Sequence, residues 1–198
     1  MNDPRFVTAV AGPEHAAGLR ALFSAASSTC FCRFWHFDGT NNDWLDRCAN
    51  APEENAAAFF GGLDSGKDEA KGIVALSEQT LVGWLKVSPA AVMRKAYERR
   101  FYKQLPAFQG DREGVFLLGC ALVHPGFRKQ GVAKALVAGA VAYAKDSFGA
   151  RVLEALPRRP KEPVSDEELW TGPMGAFEGN GFVEVGGLEP YPVLRRVL

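Results

Sequence analysis

The sequence predicts a mixed α/β (α+β) fold, a single domain over residues 1–198 with one central sheet and helices on its faces. Three observations carry this. Val115–Val123 is an unbroken apolar run that suits a strand buried on both faces. The stretch from Val132 to Phe148 has its apolar residues at helical spacing, with Gly149 as a stop. Ile73–Leu76 and Leu81–Leu85, separated by a short polar turn, read as an antiparallel hairpin.

Taken in order, Phe6–Val10 is a short strand, and Pro13 opens a helix with Leu19, Leu22 and Phe23 on one side. Ser27 to about Lys71 reads as an irregular insertion rich in Cys and aromatic residues. It has a turn at Asp38–Asn42 and a helix near Glu53–Leu63. Pro89–Gln104 is expected to be helical. Arg151–Leu156 is a strand, Ser165–Glu178 is helix-like, and Gly181–Val185 and Pro192–Leu198 are closing strands.

Of the 198 residues, 47% are apolar, enough for a core, while 23 basic and 23 acidic side chains cancel. That balance argues against a general nucleic-acid binder, which needs a basic excess. No long apolar run predicts a membrane span, and the N-terminus shows no signal peptide, so a cytoplasmic protein is expected. Cys30, Cys32, Cys48 and Cys120 are then expected to be thiols.

The most informative segment joins the buried strand to the long helix. The first N–H groups of a helix have no partners within it and sit at the positive end of its dipole, which favours an anion. Gly131 lets backbone approach a ligand, and Ala133 keeps that approach open. Arg128 and Lys129 add positive charge, so a pyrophosphate suits this turn. A plainer reading is that Gly126 and Gly131 only shape a tight connection. A nucleotide P-loop does not fit, because Val132-Ala133 stand where it needs Lys and then Ser or Thr.

The run Leu122-Val123-His124-Pro125-Gly126-Phe127-Arg128-Lys129-Gln130-Gly131-Val132-Ala133 resembles the acyl-CoA motif of the GNAT superfamily of N-acetyltransferases. Arg128, Gly131 and Ala133 occupy its three signature positions. Ile73–Val87 looks like that family's central hairpin, and Ala176–Phe182 like the end of its last helix. The resemblance implies a GNAT-like acyl-CoA N-acyltransferase fold with acetyl-CoA as donor, and no metal is expected from the cysteine spacing. It implies a cleft between Val115–Val123 and Arg151–Leu156. Backbone near Leu122 and Val123 would hold the pantetheine, and Arg128, Lys129, Gln130, Gly131, Val132 and Ala133 the pyrophosphate. An amine of a small molecule or peptide would attack the thioester directly. The alternatives are a non-catalytic acyl-CoA-binding module and a metal-stabilised interaction protein. A homodimer is compatible with any of these.

The catalytic groups are less defined. Where the family often has an acid Tyr in its last helix, this chain has Phe177, and Tyr191 is too near the closing strand to be assigned that role, so the acid is unassigned. Glu113 and Glu154 are the candidate bases, against the plainer reading of solvated carboxylates. Cys120 could relay an acyl group or be an inert core residue. Cys30, Cys32, His36 and Cys48 could hold Zn²⁺, but their spacing fits no trusted zinc pattern. The insertion that carries them is expected to pack over the sheet beside the acceptor pocket. Arg94, Lys95, Arg99 and Arg100 read as a solvated face, or as partners for an acidic acceptor or the CoA 3′-phosphate. Trp84 and Trp170 are expected in the core.

Overall fold

The computed structural model describes residues 4–198. Its strands are β1 (Val7–Val10), β2 (Gly72–Ser77), β3 (Thr80–Pro89), β4 (Val115–Val123), β5 (Val152–Ala155), β6 (Val183–Leu188) and β7 (Tyr191–Val197). Its helices are α1 (Ala16–Ala25), α2 (Asn41–Asn50), α3 (Pro52–Asp64), α4 (Arg94–Tyr97), α5 (Val132–Phe148) and α6 (Met174–Glu178). The strands form one sheet in the order β1-β2-β3-β4-β5-β7-β6. Only β4 and β5 pair in parallel; the other pairs are antiparallel.

Two apolar layers cover the sheet. On one face α5 lays Val132, Leu136 and Ala140 against Ile73, Val82 and Leu118. On the other face α1, α3 and the Cys-rich segment bring Leu22, Phe59, Cys32 and Trp35 onto Val74, Trp84 and Leu117. The alternation of β4 between these layers explains its continuous apolar run. Glycines let elements approach: a Cβ on Gly83 would stand 2.7 Å from Val132.

Three stretches differ from the sequence reading. Residues 90–104 form a 3₁₀ turn and the single turn α4 rather than one helix. Burial of Met93, Ala96 and Tyr102, together with stacking of Phe101 on Tyr191, outweighs helical propensity there. Conversely, α2 begins where a turn was expected. Thr40 caps it, its hydroxyl accepting from the Asp43 N–H while the Asp43 carboxylate accepts from the Thr40 N–H. The helix-like stretch 165–178 divides into a 3₁₀ turn at Asp166–Leu169 and α6, because Gly172 (φ +92°) and Pro173 separate them.

Candidate functional site

The site is created where β4 leaves β5. Parallel pairing runs from Val115↔Val152 to Leu118↔Ala155 and stops. On the other side of β4 the register with β3 slips, Leu85 facing Ala121 and Val87 facing Leu118. Gly119 and Cys120 therefore form a bulge opposite Lys86, which bends β4 away from β5. Beyond it the His124 N–H donates to the Val82 carbonyl of β3, 2.9 Å. Period-two alternation turns the Leu122 peptide groups toward β3 as well, and those of Ala121 and Val123 toward the cleft. The Ala121 N–H does point there and donates to the Trp170 carbonyl, 2.8 Å. Of the two residues expected to hold a ligand through backbone, Val123 faces the cleft, whereas Leu122 contributes its side chain to the cavity wall.

β4 ends at the turn that opens α5. Lys129 (φ +60°) and Gly131 (φ +95°) take left-handed conformations. Such reversals curl successive N–H groups into an anion-binding concavity. No neighbour stands within 4 Å of a Cβ placed on Gly131, so its glycine is required by φ and not by crowding. The first bond within α5 runs from the Ala135 N–H to the Gly131 carbonyl, 3.0 Å, so the preceding amides of Val132 and Ala133 lie before the helical ladder. The Val132 side chain is buried and anchors this first turn in the core, while Lys129 and Gln130 are exposed. The Gln130 side chain braces the turn by donating to the Gly126 carbonyl, 2.9 Å. Arg128 reaches across to Glu167 (2.8 Å) and Asp166 (3.6 Å).

A cavity of about 280 Å³ opens beside Ala121. Its walls are Ser28, Cys30, Cys32, Phe34, Trp44, Cys120, Ala121, Leu122 and Trp170, with no charged side chain among them. Trp170, expected in the core, is 36% exposed and packs on Trp35 (5.1 Å between rings) and Phe34 (6.2 Å). It also lines a second cavity of about 170 Å³ with Arg99, Arg158, Glu168 and Tyr191.

Three thiols line the first cavity. The Cys32 thiol is within hydrogen-bonding reach of Cys120 and Cys30. Phe31 and Cys32 both have positive φ (44° and 52°), strained for residues with side chains, and this brings the two close cysteines onto Cys120 of the bulge. Donating to Cys120, together with burial, pushes the Cys32 thiol well above its ordinary range against the lowering effect of the bond it accepts from Cys30, and Cys30 is pushed up by donating to Cys32 and by burial. Protonated thiols of this kind are poor nucleophiles. Beneath them lies Lys86, fully buried, donating to the Glu69 carbonyl. Burial lowers its ammonium to about 8, with the neighbouring thiols opposing the shift. His36 is held down to about 3 by burial and by Lys86. Among the described residues no three His, Cys, Asp or Glu side chains converge as a metal set. The further thiol beside Cys32 is Cys120, while Cys48 lies beside Asn55 and within the field of Cys30.

The candidate bases do not come together at the cleft. Glu113 is exposed at the opposite end of β4, roughly 25 Å from Ala121 at about 3.3 Å per residue. Glu154 is fully buried, bonded by both Arg112 guanidinium nitrogens (2.9 and 2.7 Å), by Arg195 (2.6 Å) and by the Tyr97 hydroxyl (2.9 Å). Both of its oxygens are thereby engaged, which fits a strut between β5, β7 and α4. Phe177 is fully buried, 5.6 Å from Phe182 and packed over Gly172. The basic set is dispersed: Lys95 donates to the Phe37 carbonyl (2.9 Å), Arg94 pairs with Glu98 (3.6 Å), and Arg99 lies over Phe101.

A bulged strand whose parallel pairing stops partway, and which ends at the start of a long helix through a left-handed turn, defines an α/β protein with a helix start of the kind that suits an anion. The chain belongs to the acetyltransferase (GNAT) family, whose model matches residues 32–163. Solved structures share the fold at low identity. One is an acetyltransferase of the GNAT family from Streptococcus pneumoniae (14% identical, 98% of this chain and 99% of that one covered, TM-score 0.55). Another is the PaiA N-acetyltransferase from Thermoplasma acidophilum in complex with coenzyme A (10%, 98% and 99%, 0.53). A third is an N-acetyltransferase from Staphylococcus aureus Mu50 (13%, 97% and 98%, 0.52). No curated protein matches the sequence.

Proposed function

We propose that this chain transfers an acetyl group from acetyl-CoA to an amine of a small molecule or peptide, by direct attack within the β4–β5 cleft. The observation that carries the reading is the junction of β4 and α5, with its left-handed Lys129 and Gly131 and the amides of Val132 and Ala133. The pyrophosphate is held there, and Ala121 and Val123 offer peptide groups for the pantetheine. The Ala121 N–H is the donor best placed for the thioester oxygen, where charge develops during attack. Positioning two bound reactants supplies much of the rate. The donor assignment has a parallel in the Thermoplasma PaiA structure, which contains coenzyme A.

The amine lies on the side of the 280 Å³ cavity. Its uncharged walls of Phe34, Trp44, Leu122 and thiols favour an acceptor with an apolar body. A non-catalytic acyl-CoA-binding module is the second reading. It is favoured by the placement of Phe177, Glu113 and Glu154, none of which offers a free proton-transfer group at the cleft. Thiol release from acetyl-CoA across a panel of aliphatic, aromatic and peptide amines separates the two. Turnover with an apolar amine is expected; binding of acetyl-CoA without turnover of any amine establishes the module instead.

A further inference from the structure

We infer that Ser165–Trp170 is an autoinhibitory strap that occupies the acyl-CoA cleft by imitating the cofactor's oxygens, and that the cofactor binds by displacing it. This rests on the acyl-CoA reading above. Two independent contacts, each between residues far apart in sequence, coincide with the places where that cofactor needs donors. At one end, the carboxylates of Glu167 (2.8 Å) and Asp166 (3.6 Å) sit on Arg128, beside the amides that suit a pyrophosphate. At the other, the Trp170 carbonyl accepts from the Ala121 N–H at 2.8 Å, the donor suited to the thioester oxygen.

The strap is built as a unit. Ser165 and Glu168 cap its 3₁₀ turn reciprocally, and Glu168 pairs with Arg158 at 2.5 Å. Gly172 at φ +92° and Pro173 follow it, so the turn is separated from α6 by a glycine that can absorb a change in backbone direction. Its ionic end is weak, because the Glu167 side chain is 70% exposed, Asp166 stands at 3.6 Å with 37% exposed, and such pairs are screened. A pyrophosphate brings more charge to the same arginine together with the helix start. The competition is therefore one that the cofactor wins, at the cost of reduced apparent affinity.

The test compares the full chain with an Asp166→Asn/Glu167→Gln variant, using calorimetry with coenzyme A. Hydrogen exchange of the 165–172 segment is followed in parallel, with and without coenzyme A. The variant is expected to bind about fivefold to tenfold more tightly. In the unaltered chain, exchange of the 165–172 amides is expected to rise on binding, opposite in sign to the protection that a ligand gives to residues it contacts. Equal or weaker binding by the variant overturns the strap, as does tighter binding with unchanged or reduced exchange at 165–172, since the charges then act without displacement. No binding by either protein removes the acyl-CoA reading itself, which is a different result from equal binding by both.

Discussion

Glu154 is held by Arg112, Arg195 and Tyr97 and shows no surface, so its carboxylate joins three segments that would otherwise bury unpaired charge. Removing one partner of such a cluster costs about 3–5 kcal/mol. Glu154→Ala is therefore expected to lower the unfolding midpoint strongly. Glu154→Gln, which keeps the shape, should leave the pH profile of kcat/KM unchanged in the protein that remains folded. Loss of the profile's basic limb with an intact midpoint would instead restore this residue as the base. Lys86 makes the reverse case. Its ammonium is lowered to about 8 by burial, from an ordinary 10.5. Between those values the unfolded chain binds more protons than the folded one, so the contribution to stability rises with pH across that window and is lowest below pH 8. The penalty at neutral pH is roughly 3 kcal/mol at most. Lys86→Met should raise stability to urea at pH 7, and the gain should shrink toward pH 10. A gain independent of pH would show that the ammonium is not the cause.

At the scale of elements, α2 and α5 show how unevenly local signals report structure. The apolar stripe from Val132 to Ala144 and the stop at Gly149 (φ +68°) were legible, because one side of α5 meets the sheet and its end needs a left-handed residue. The cap of α2, Thr40-x-x-Asp43, was equally present in the sequence, though the Asn-rich flank obscured it. Thr40→Ala is expected to cost about 1 kcal/mol, measured by urea denaturation. An unchanged midpoint would mean that α2 is held by Trp44 packing on Phe34 and Phe37 alone. Residues 90–104 carried a helical pattern that tertiary burial of Met93, Ala96 and Tyr102 overrode. The contact of Trp170 with Ala121 and that of Glu167 with Arg128 had no local signal at all, since only the folded chain joins residues so distant in sequence.

Across the whole molecule, the sheet order places the β4 bulge, the α5 start and the Cys-rich segment around one cleft. The turn proposed for the phosphates was readable as a strand-to-helix turn because its signals are local: charge, glycine and helix start lie within six residues, Arg128 to Ala133. The proton-transfer groups were not, because a carboxylate's role depends on what surrounds it, and Glu113 and Glu154 face other surroundings than the cleft. The most direct measurement is the thermal unfolding midpoint with increasing acetyl-CoA, for the chain and for Gly131→Pro. Proline holds φ near −65°, incompatible with the +95° at this position. Acetyl-CoA at about a hundred times its Kd should stabilise the unaltered chain by about 2.7 kcal/mol. Gly131→Pro, shown to be folded by circular dichroism, should lose that response. An unaltered chain whose midpoint does not move at any acetyl-CoA concentration contradicts the reading of the cleft.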